Sequence, residues 1–457
     1  MNNKSVGLLV AAMLSGCAYS PTEQAYREHI QTPDIFEFYT DADSQVEVEQ
    51  DWWTVFGSTP LNELMTRLMA DNLSLEEARM RVDRAVLLLE QSRADNIPDV
   101  SAGVSGRSGK DFDGGSTSSS SSGNVGLSYT FDVWGSREAT QLGLSLGIDS
   151  QRFTQRSAAL QVQGLLASEY FNLLSLQQRL VIARKNYDAA DQLYELVRIR
   201  FEEGDASGIE VSQQQNTLLT ARGELLRLNN QATLSRRAIA ALLGDAVLTP
   251  VNSEESILAM AVPEISLYQP ASVLKQRPDV QIADVTLQQA DIAVYQAGIQ
   301  GLPGLSFSAD LSVSDLLDLA SGWSVGAALS SAATLFDGGR IDAGKKIAAT
   351  DRELAWNNFR ATTINASQSL LDALDNFTYQ KAAYELDLIS LENNERLYKL
   401  AEIRYKAGDT DFLNLLSAQR SWFSAQLTVI TSYQQSLAAA STVYLEAGGR
   451  PQLINRP

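Results

Sequence analysis

The chain has 457 residues, with 36 Lys and Arg against 55 Asp and Glu, one Cys and one His, for a formal net charge of -19. This acidity argues against binding the phosphate backbone of nucleic acid, which requires basic surfaces that release counterions. Cys17 and His29 are too few for a disulfide, a His/Cys zinc cluster or a His-based triad. We therefore expect no metal, no cofactor and no enzymatic activity.

The first residues have the pattern of a secretory signal. Lys4 precedes a short apolar run, Val6 to Met13, which is too short to cross about 30 Å of hydrocarbon. The run leads into Leu14-Ser15-Gly16-Cys17, which resembles a bacterial lipobox. We predict a lipoprotein signal peptide at 1–16, a covalent lipid such as palmitate on Cys17, and an acylated N-terminal extension at 17–50. The alternative is a buried Cys behind an ordinary signal peptide.

The rest of the chain contains an internal repeat. Leu193 to Asp205 returns as Leu397 to Asp409, and Phe131-Asp132 returns as Phe336-Asp337, at a shift of about 204 residues. A repeat of this length is a duplicated half and not a solenoid unit. The predicted organisation is a first repeat at 51–244, an irregular connector at 245–270, a second repeat at 271–446 and a C-terminal tail at 447–457.

Each half begins with the same kinds of element. A helical stretch, at about 61–94 and again at about 280–300, ends before a Pro, where helix is disfavoured. Two strands follow in each half, and residues 125–133 and 305–314 alternate apolar and polar, as in a sheet with one apolar face. Their partners, at 100–105 and 323–335, are rich in Ala, Gly and Ser and alternate less cleanly.

The loops between these strands are predicted from composition. Residues 106–123 form a run rich in Gly and Ser, which lacks the apolar surface needed to order itself and suggests an exposed hairpin loop. The second hairpin has a shorter loop near Asp315 to Gly322.

A long helix follows each pair of strands. Residues 137–203 and 341–407 contain no Pro and carry apolar residues at heptad spacing, over about 100 Å at 1.5 Å per residue. Gly204 and Gly408 suit the left-handed C-cap that ends such helices. Returning helices, at about 208–243 and 411–446, complete an antiparallel hairpin in each half.

Four strands of about ten residues are too few to close a membrane barrel. An open sheet edge in lipid leaves backbone groups unpaired, at several kcal/mol each, so the strands must pair with other copies of the chain. Two copies would give eight strands and an almost filled interior, whereas three would give twelve strands and a lumen. The pattern therefore predicts an oligomeric outer-membrane pore.

On these features the sequence resembles the TolC-type outer-membrane factor family, in its lipidated OprM-like and NodT-like branch. The resemblance covers about Trp52 to Glu446 and rests on five pieces in chain order: the lipobox, Arg277-Pro278-Asp279-Val280, Leu335 to Arg340, Arg404-Tyr405 to Gly408, and Ala418-Gln419-Arg420. It implies a mainly α fold with a small β part. The expected architecture is a trimeric outer-membrane β-barrel with four strands per chain, continued by a long periplasmic α-helical barrel, in two tandem repeats.

The resemblance also implies location, function and partners. The protein would be anchored by its lipid and would also span the outer membrane, in contact with outer-membrane lipid. A large portion of it would lie in the periplasm. A homotrimer would dock on a periplasmic membrane-fusion (adaptor) protein and an inner-membrane efflux pump, as the passive duct for small toxic compounds. Two alternatives remain: the exit duct of an ABC-type peptide or protein secretion system, and a periplasmic coiled-coil scaffold, which leaves the alternating strands unexplained.

Finally, the resemblance implies a periplasmic constriction at the helix-hairpin tips, which are marked by Gly204, Asp205 and Gly408. Asn414 and Ser417 occupy the two positions where the family often has acidic residues. The candidate gate residues are Leu413, Asn414, Ser417, Arg420, Arg404, Tyr405, Asp409, Asp411 and Glu210. Two simpler interpretations stay open: core packing for Tyr405, and helix N-terminal capping for Asp411 and Glu210.

Overall fold

The computed structural model describes residues 51–110, 117–245, 255–265, 271–314, 316 and 322–449. The predicted signal peptide, Cys17, the N-terminal extension and most of the predicted tail lie outside these residues. Within the described ranges the chain forms eight α-helices, two short 3₁₀ helices and four strands. None of the helices in this part of the chain combines the length and the apolar character needed to cross a membrane.

The two halves contain the same elements in the same order. The first half has α1 (Thr59–Asp71), α2 (Leu73–Ala94), β1 (Asp99–Lys110), β2 (Thr117–Phe131), α3 (Ser136–Glu202) and α4 (Gly208–Leu242). The second half has α5 (Ala271–Gln276), α6 (Pro278–Ile299), β3 (Gly304–Val313), β4 (Trp323–Ala332), α7 (Arg340–Lys406) and α8 (Phe412–Glu446). The 3₁₀ helices are Trp52–Phe56 and Ile257–Ala259.

The lengths of equivalent helices repeat as well as their order. Helices α2 and α6 have 22 residues each, α3 and α7 have 67 each, and α4 and α8 have 35 each. The four long helices begin and end within one residue of their predicted bounds. The tandem repeat that the sequence predicts is therefore confirmed in the fold.

One predicted helix is divided in two at Asn72. The side chain of Asn72 is buried, and its Oδ1 accepts a hydrogen bond from the backbone N–H of Leu75 at 3.1 Å, which caps α2. Its Nδ2 donates to the carbonyl of Leu242 at the end of α4, at 2.7 Å. The prediction of one continuous helix over 61–94 is wrong because this distant carbonyl holds Asn72 in extended backbone, with ψ of 122°.

The four strands form one antiparallel sheet in the order β1-β2-β3-β4. The Gly- and Ser-rich residues that the sequence assigns to an exposed loop are largely strand, because β1 and β2 pair continuously from Asp99 opposite Ser128 to Lys110 opposite Thr117. A ladder pairs backbone groups whatever the side chains, and Ser105 and Ser122 add a hydrogen bond of 2.8 Å across it. The prediction of a loop over 106–123 is therefore wrong for most of that segment.

The described chain divides into two compact units, and each unit draws on both halves of the sequence. One unit is formed by the described residues of 80–153 and 282–361 and contains the sheet. Its core packs Ala139 and Leu146 of α3 against Val285 and Ile292 of α6.

The second unit is formed by the described residues of 51–79, 154–281 and 362–449. Its main core includes Trp52, Phe56, Phe171, Leu437 and Tyr444. The described part of the connector packs on this core, since Ile257 is fully buried and the Tyr433 hydroxyl donates to the carbonyl of Met260 at 2.6 Å.

The motif Arg277-Pro278-Asp279 closes this unit. Pro278 occupies the first position of α6, where no backbone donor is needed. Arg277 is largely buried and forms ion pairs with Asp279 at 2.8 Å and Glu446 at 2.6 Å, and it also donates to the Glu446 carbonyl at 2.6 Å. The motif therefore ties the start of the second repeat to its end.

Candidate functional site: an amphipathic sheet and two helical tips

The register of the sheet places apolar side chains on one face. Ala102 pairs with Val125, Val125 with Leu311, and Leu311 with Val325, so one row crosses all four strands. Because side chains alternate along a strand, the neighbouring rows on that face are also mostly apolar. The exposed large members of this face are Val100, Val104, Val125, Phe131, Leu311, Trp323, Val325 and Leu329. A contiguous exposed apolar surface of this kind marks contact with lipid or protein.

The opposite face of the sheet is polar, and hydrogen bonds between serines link its strands. Three cross-strand pairs lie within 2.7 to 2.8 Å: Ser105 with Ser122, Ser306 with Ser330, and Ser312 with Ser324. Asp310 lies on the same face, opposite Gly326. The sheet therefore suits a position between an apolar medium and water, and its register resolves the unclear alternation of β1 and β4.

Strands β1 and β4 form the two edges of the sheet in the described part of the chain. Each edge carries a row of backbone groups that none of the described strands pairs. In hydrocarbon such groups cost several kcal/mol each, so in a membrane the edges require partners from outside the chain.

Two equivalent turns connect the sheet to the long helices. Asp132 accepts hydrogen bonds from the backbone N–H groups of Arg137 at 2.9 Å and Glu138 at 3.2 Å, at the start of α3. Asp337 accepts from Gly339 at 2.9 Å and Ile341 at 2.7 Å, at the start of α7. The Ile341 bond in particular holds the pKa of Asp337 below its ordinary value. The repeated Phe-Asp motif is thus a helix cap in both halves.

The two helix-hairpin tips have the same backbone geometry. Gly204 and Gly408 have φ angles of +87° and +79°, in the left-handed region that favours glycine. The N–H that follows each glycine bonds back to a carbonyl near the helix end, from Asp205 to Arg200 and from Asp409 to Arg404, both at 2.8 Å. Each tip is therefore a glycine-terminated C-cap, as the sequence predicts.

Side-chain caps begin the returning helices. Ser207 accepts the backbone N–H of Glu210 at 3.3 Å, and Asp411 accepts the N–H of Asn414 at 2.9 Å. The Asp411 carboxylate is thus an N-cap, while Asp205 and Asp409 are exposed and Glu210 is half-buried.

Tyr405 belongs to a small core at the tips. It packs with Val197, Phe412, Leu415 and Leu416, and its ring meets that of Phe412 edge-on at 5.8 Å. Burial raises the pKa of its hydroxyl.

The cation beside the Tyr405 ring comes from the other half of the chain. The guanidinium of Arg200 lies 5.3 Å from the ring centroid, whereas Arg404 is exposed. The core interpretation of Tyr405 is thus the one that the geometry supports, and Arg200 is a contact that the sequence did not indicate.

The remaining candidates lie on the exposed side of α8. Leu413, Asn414, Ser417 and Arg420 are all exposed, whereas the intervening Leu415, Leu416 and Gln419 are buried. Positions 413, 417 and 420 follow helical spacing and form one stripe.

Arg420 also connects the two halves of the chain. Its Nη2 donates to Thr217 Oγ1 of α4 at 3.0 Å. Thr217 is 203 positions away from Arg420 in the sequence, so no local pattern could have identified it as a partner.

Comparison with known proteins places this geometry among channels. The model of the family described as "Outer membrane efflux protein" matches residues 64–245 and 270–449. The chain is 27% identical to the pyoverdine export outer membrane protein OpmQ of Pseudomonas aeruginosa, over 98% of this chain and 97% of that protein. It is 28% identical to nodulation protein T of Rhizobium leguminosarum bv. viciae, over 84% of this chain and 81% of that protein.

A solved structure shares the fold. The chain matches the outer membrane channel CmeC of Campylobacter jejuni with a TM-score of 0.79, over 91% of each chain and at 20% sequence identity.

Proposed function

The chain belongs to the outer membrane efflux protein family and is an outer-membrane efflux channel, and on this premise we propose that it works as a homotrimeric passive duct. The observation that carries the proposal is the four-stranded sheet with one exposed apolar face, one serine-lined face and two open edges. Three copies supply twelve strands, which enclose a lumen, whereas two copies supply eight, which side chains nearly fill. The serine-lined face then faces the water-filled lumen.

The stoichiometry is tested on full-length protein extracted from outer membranes. We expect a species of three times the chain mass by native mass spectrometry, resistant to dodecyl sulfate until heated. A monomer or a helical dimer would contradict the trimer and would favour the coiled-coil scaffold instead.

The proposed cargo is small toxic compounds, delivered by a periplasmic adaptor protein and an inner-membrane efflux pump that supplies the energy. The similarity to OpmQ, a pyoverdine export protein, supports export of small molecules over proteins. Deletion of the gene should increase susceptibility to drugs, dyes or bile salts, and the intact gene should restore resistance. Loss of a secreted peptide or protein with no change in susceptibility would favour the ABC-type alternative.

We further propose that the contact between Arg420 and Thr217 holds the periplasmic tip closed, with Leu413 on the exposed stripe beside it. Arg420→Ala removes the 3.0 Å bond that joins the second half to the first, so the single-channel conductance in planar bilayers should increase. Leu413→Ala should act in the same direction, because Leu413 is 57% exposed on its own chain and is available to a neighbouring copy.

Arg396→Ala is the matched control, since it removes an exposed arginine of α7 whose ion pair is with Glu392 on its own helix. Unchanged conductance in both Arg420→Ala and Leu413→Ala would remove these residues from the gate.

The lipid anchor on Cys17 is a proposal that rests on the lipobox alone. Cys17→Ser should abolish incorporation of radioactive palmitate and leave the heat-sensitive oligomer intact. Labelling that persists in the variant would show that the lipid is attached elsewhere.

A further inference from the structure

A groove of about 690 Å³ runs between α3, α4 and α8, within the second compact unit. Its volume is in the range of sites for small organic ligands. Helix α3 contributes Arg179, Ala183 and Asn186, and α4 contributes Thr217, Thr220, Ala221, Glu224 and Arg227. Helix α8 contributes Arg420, Phe423, Ser424 and Leu427.

The charge of this groove is opposite to that of the whole chain. Three arginines line it with a single carboxylate, that of Glu224, in a protein of net charge -19. Both oxygens of Glu224 are held by Arg227, whose Nε lies 2.7 Å from Oε2 and whose Nη2 lies 2.5 Å from Oε1. The Arg227 hydrogen bond lowers the pKa of Glu224, so this carboxylate is ionised and already paired. The charge of Glu224 also acts on Arg179 and partly offsets the lowering of its pKa, but among the described residues no hydrogen bond joins Arg179 to this carboxylate.

Arg179 is the strongest indication of a binding site in this groove. Its Nε is buried and has no hydrogen-bond partner among the residues that the structure describes. Burial lowers the pKa of Arg179 and the neighbouring charge of Arg227 adds to the effect, yet a guanidinium stays protonated. Arg179 also borders an adjoining groove that contains Glu169, whose Oε2 accepts a hydrogen bond from Ser235 at 3.0 Å.

The opposite wall of the groove is partly apolar. Arg420, Phe423 and Leu427 follow one face of α8 at spacings of three and four residues. Arg420 donates one of its five guanidinium N–H groups to Thr217, and the other four are available for further hydrogen bonds. An arginine-lined side and a wall of Phe423 and Leu427 match a molecule with a negative group and an apolar body.

We propose that this groove is a binding site for an amphipathic organic anion, a carboxylate or sulfonate with an apolar ring system. The anionic group lies between Arg179 and Arg420, and the rings lie against Phe423 and Leu427. All the residues that line the site belong to one chain, so binding requires neither the trimer nor the pump. A negative binding result would therefore contradict this site without contradicting the duct function.

Fluorescence titration of the full-length protein in lipid nanodiscs, against empty nanodiscs, tests the site. The probe is 8-anilino-1-naphthalenesulfonate, and the matched neutral compound is N-phenyl-1-naphthylamine, which has the same ring system without the sulfonate. We expect saturable binding of the sulfonate and at least tenfold weaker binding of the neutral compound, the order expected for a charge-assisted hydrogen bond.

Variants locate the site in the groove. Arg179→Gln and Phe423→Ala should each weaken binding of the sulfonate roughly tenfold. Arg184→Gln is the control, because Arg184 lies on the same helix but is exposed, outside the lining of the groove, where it pairs with Asp188 and lies 5.8 Å from the centroid of the Tyr187 ring. The proposal is overturned if the wild type does not bind the sulfonate, if both compounds bind equally, or if Arg179→Gln behaves like Arg184→Gln. Thermal unfolding of each variant identifies any that fail to fold. If Arg179→Gln does not fold, Phe423→Ala is compared with Arg184→Gln instead, and equal binding by those two variants overturns the proposal.

Discussion

At the scale of single residues, Tyr444 shows how the second unit is sensitive to alkaline pH. Its side chain is 2% exposed, stacks on Trp52 at 5.9 Å, and has a hydroxyl without a hydrogen-bond partner in the described part of the chain. Burial raises the pKa of Tyr444 to about 12. The folded state therefore keeps this proton to a higher pH than the unfolded state does. The contribution of protonated Tyr444 to the free energy of unfolding is fully present below about pH 10, the ordinary tyrosine pKa. This contribution is lost as the pH rises towards about 12.

Tyr444→Phe should reduce this sensitivity, since phenylalanine has no proton to lose, and the remainder comes from other buried tyrosines of the unit, such as Tyr405 and Tyr433, whose pKa values are also raised. At neutral pH it should raise the free energy of unfolding by about 1 kcal/mol, because it removes a buried hydroxyl without a partner. Thermal unfolding at pH 8 and pH 11 measures both effects. Tyr379→Phe, at an exposed position of α7, should leave the pH dependence as in the wild type, and equal loss of stability at pH 11 in both variants would contradict the assignment.

At the scale of elements, the helical hairpins depend on glycine at their tips. Gly408 stands in the left-handed region with φ of +79°, and nothing lies within 4 Å of the position that a Cβ would occupy. The requirement for glycine there is one of backbone conformation and not of space. Gly223 also has open space around it, but it lies inside α4 in ordinary helical backbone.

Alanine should therefore have opposite effects at these two glycines. Gly408→Ala should lower the free energy of unfolding by about 1 kcal/mol, because left-handed backbone is unfavourable for a residue with a Cβ. Gly223→Ala should raise it by up to about 1 kcal/mol, because alanine has the higher helix propensity. Chemical denaturation of the two variants gives both values, and effects of the same sign would refute the argument.

At the scale of the whole molecule, the two-faced sheet is the part of the described chain that suits a membrane protein. The sheet has an exposed apolar face on which Val325 is 81% exposed, and a polar face that includes Ser308. A soluble scaffold has no use for such an exposed apolar surface. We therefore expect the apolar face to contact lipid and the serines to face water.

Lysine placed on the two faces should distinguish them. Val325→Lys sets a charge in the lipid-facing row at a cost of about 2–4 kcal/mol near the bilayer centre, so the yield of heat-sensitive oligomer in the outer membrane should fall. Ser308→Lys, on the polar face of β3, should assemble as the wild type does. Quantitative blotting of outer-membrane fractions compares them, and equal yields would show that the apolar face does not contact lipid.

Much of this fold could be predicted from the sequence, because the features concerned are local. Heptad spacing, the absence of Pro and the terminal glycines defined the two 67-residue helices to within one residue, and the returning helices that follow each turn were predicted equally closely. The alternation of β2 and β3 predicted a two-faced sheet, and the shift of about 204 residues showed the duplication. Each of these signals lies within a short stretch of chain, or in the comparison of one stretch with another.

The tertiary structure decided what depends on distant partners. Asn72 divides a predicted helix because its side chain reaches Leu242, and the serine-rich strands form because a neighbouring strand pairs their backbones. Arg420 meets Thr217, and Arg179 and Arg227 reach the same groove as Phe423, only after both halves have packed. Periodicity and turn chemistry specify an element from within, whereas the partner of a polar side chain is specified by packing between elements that the sequence separates.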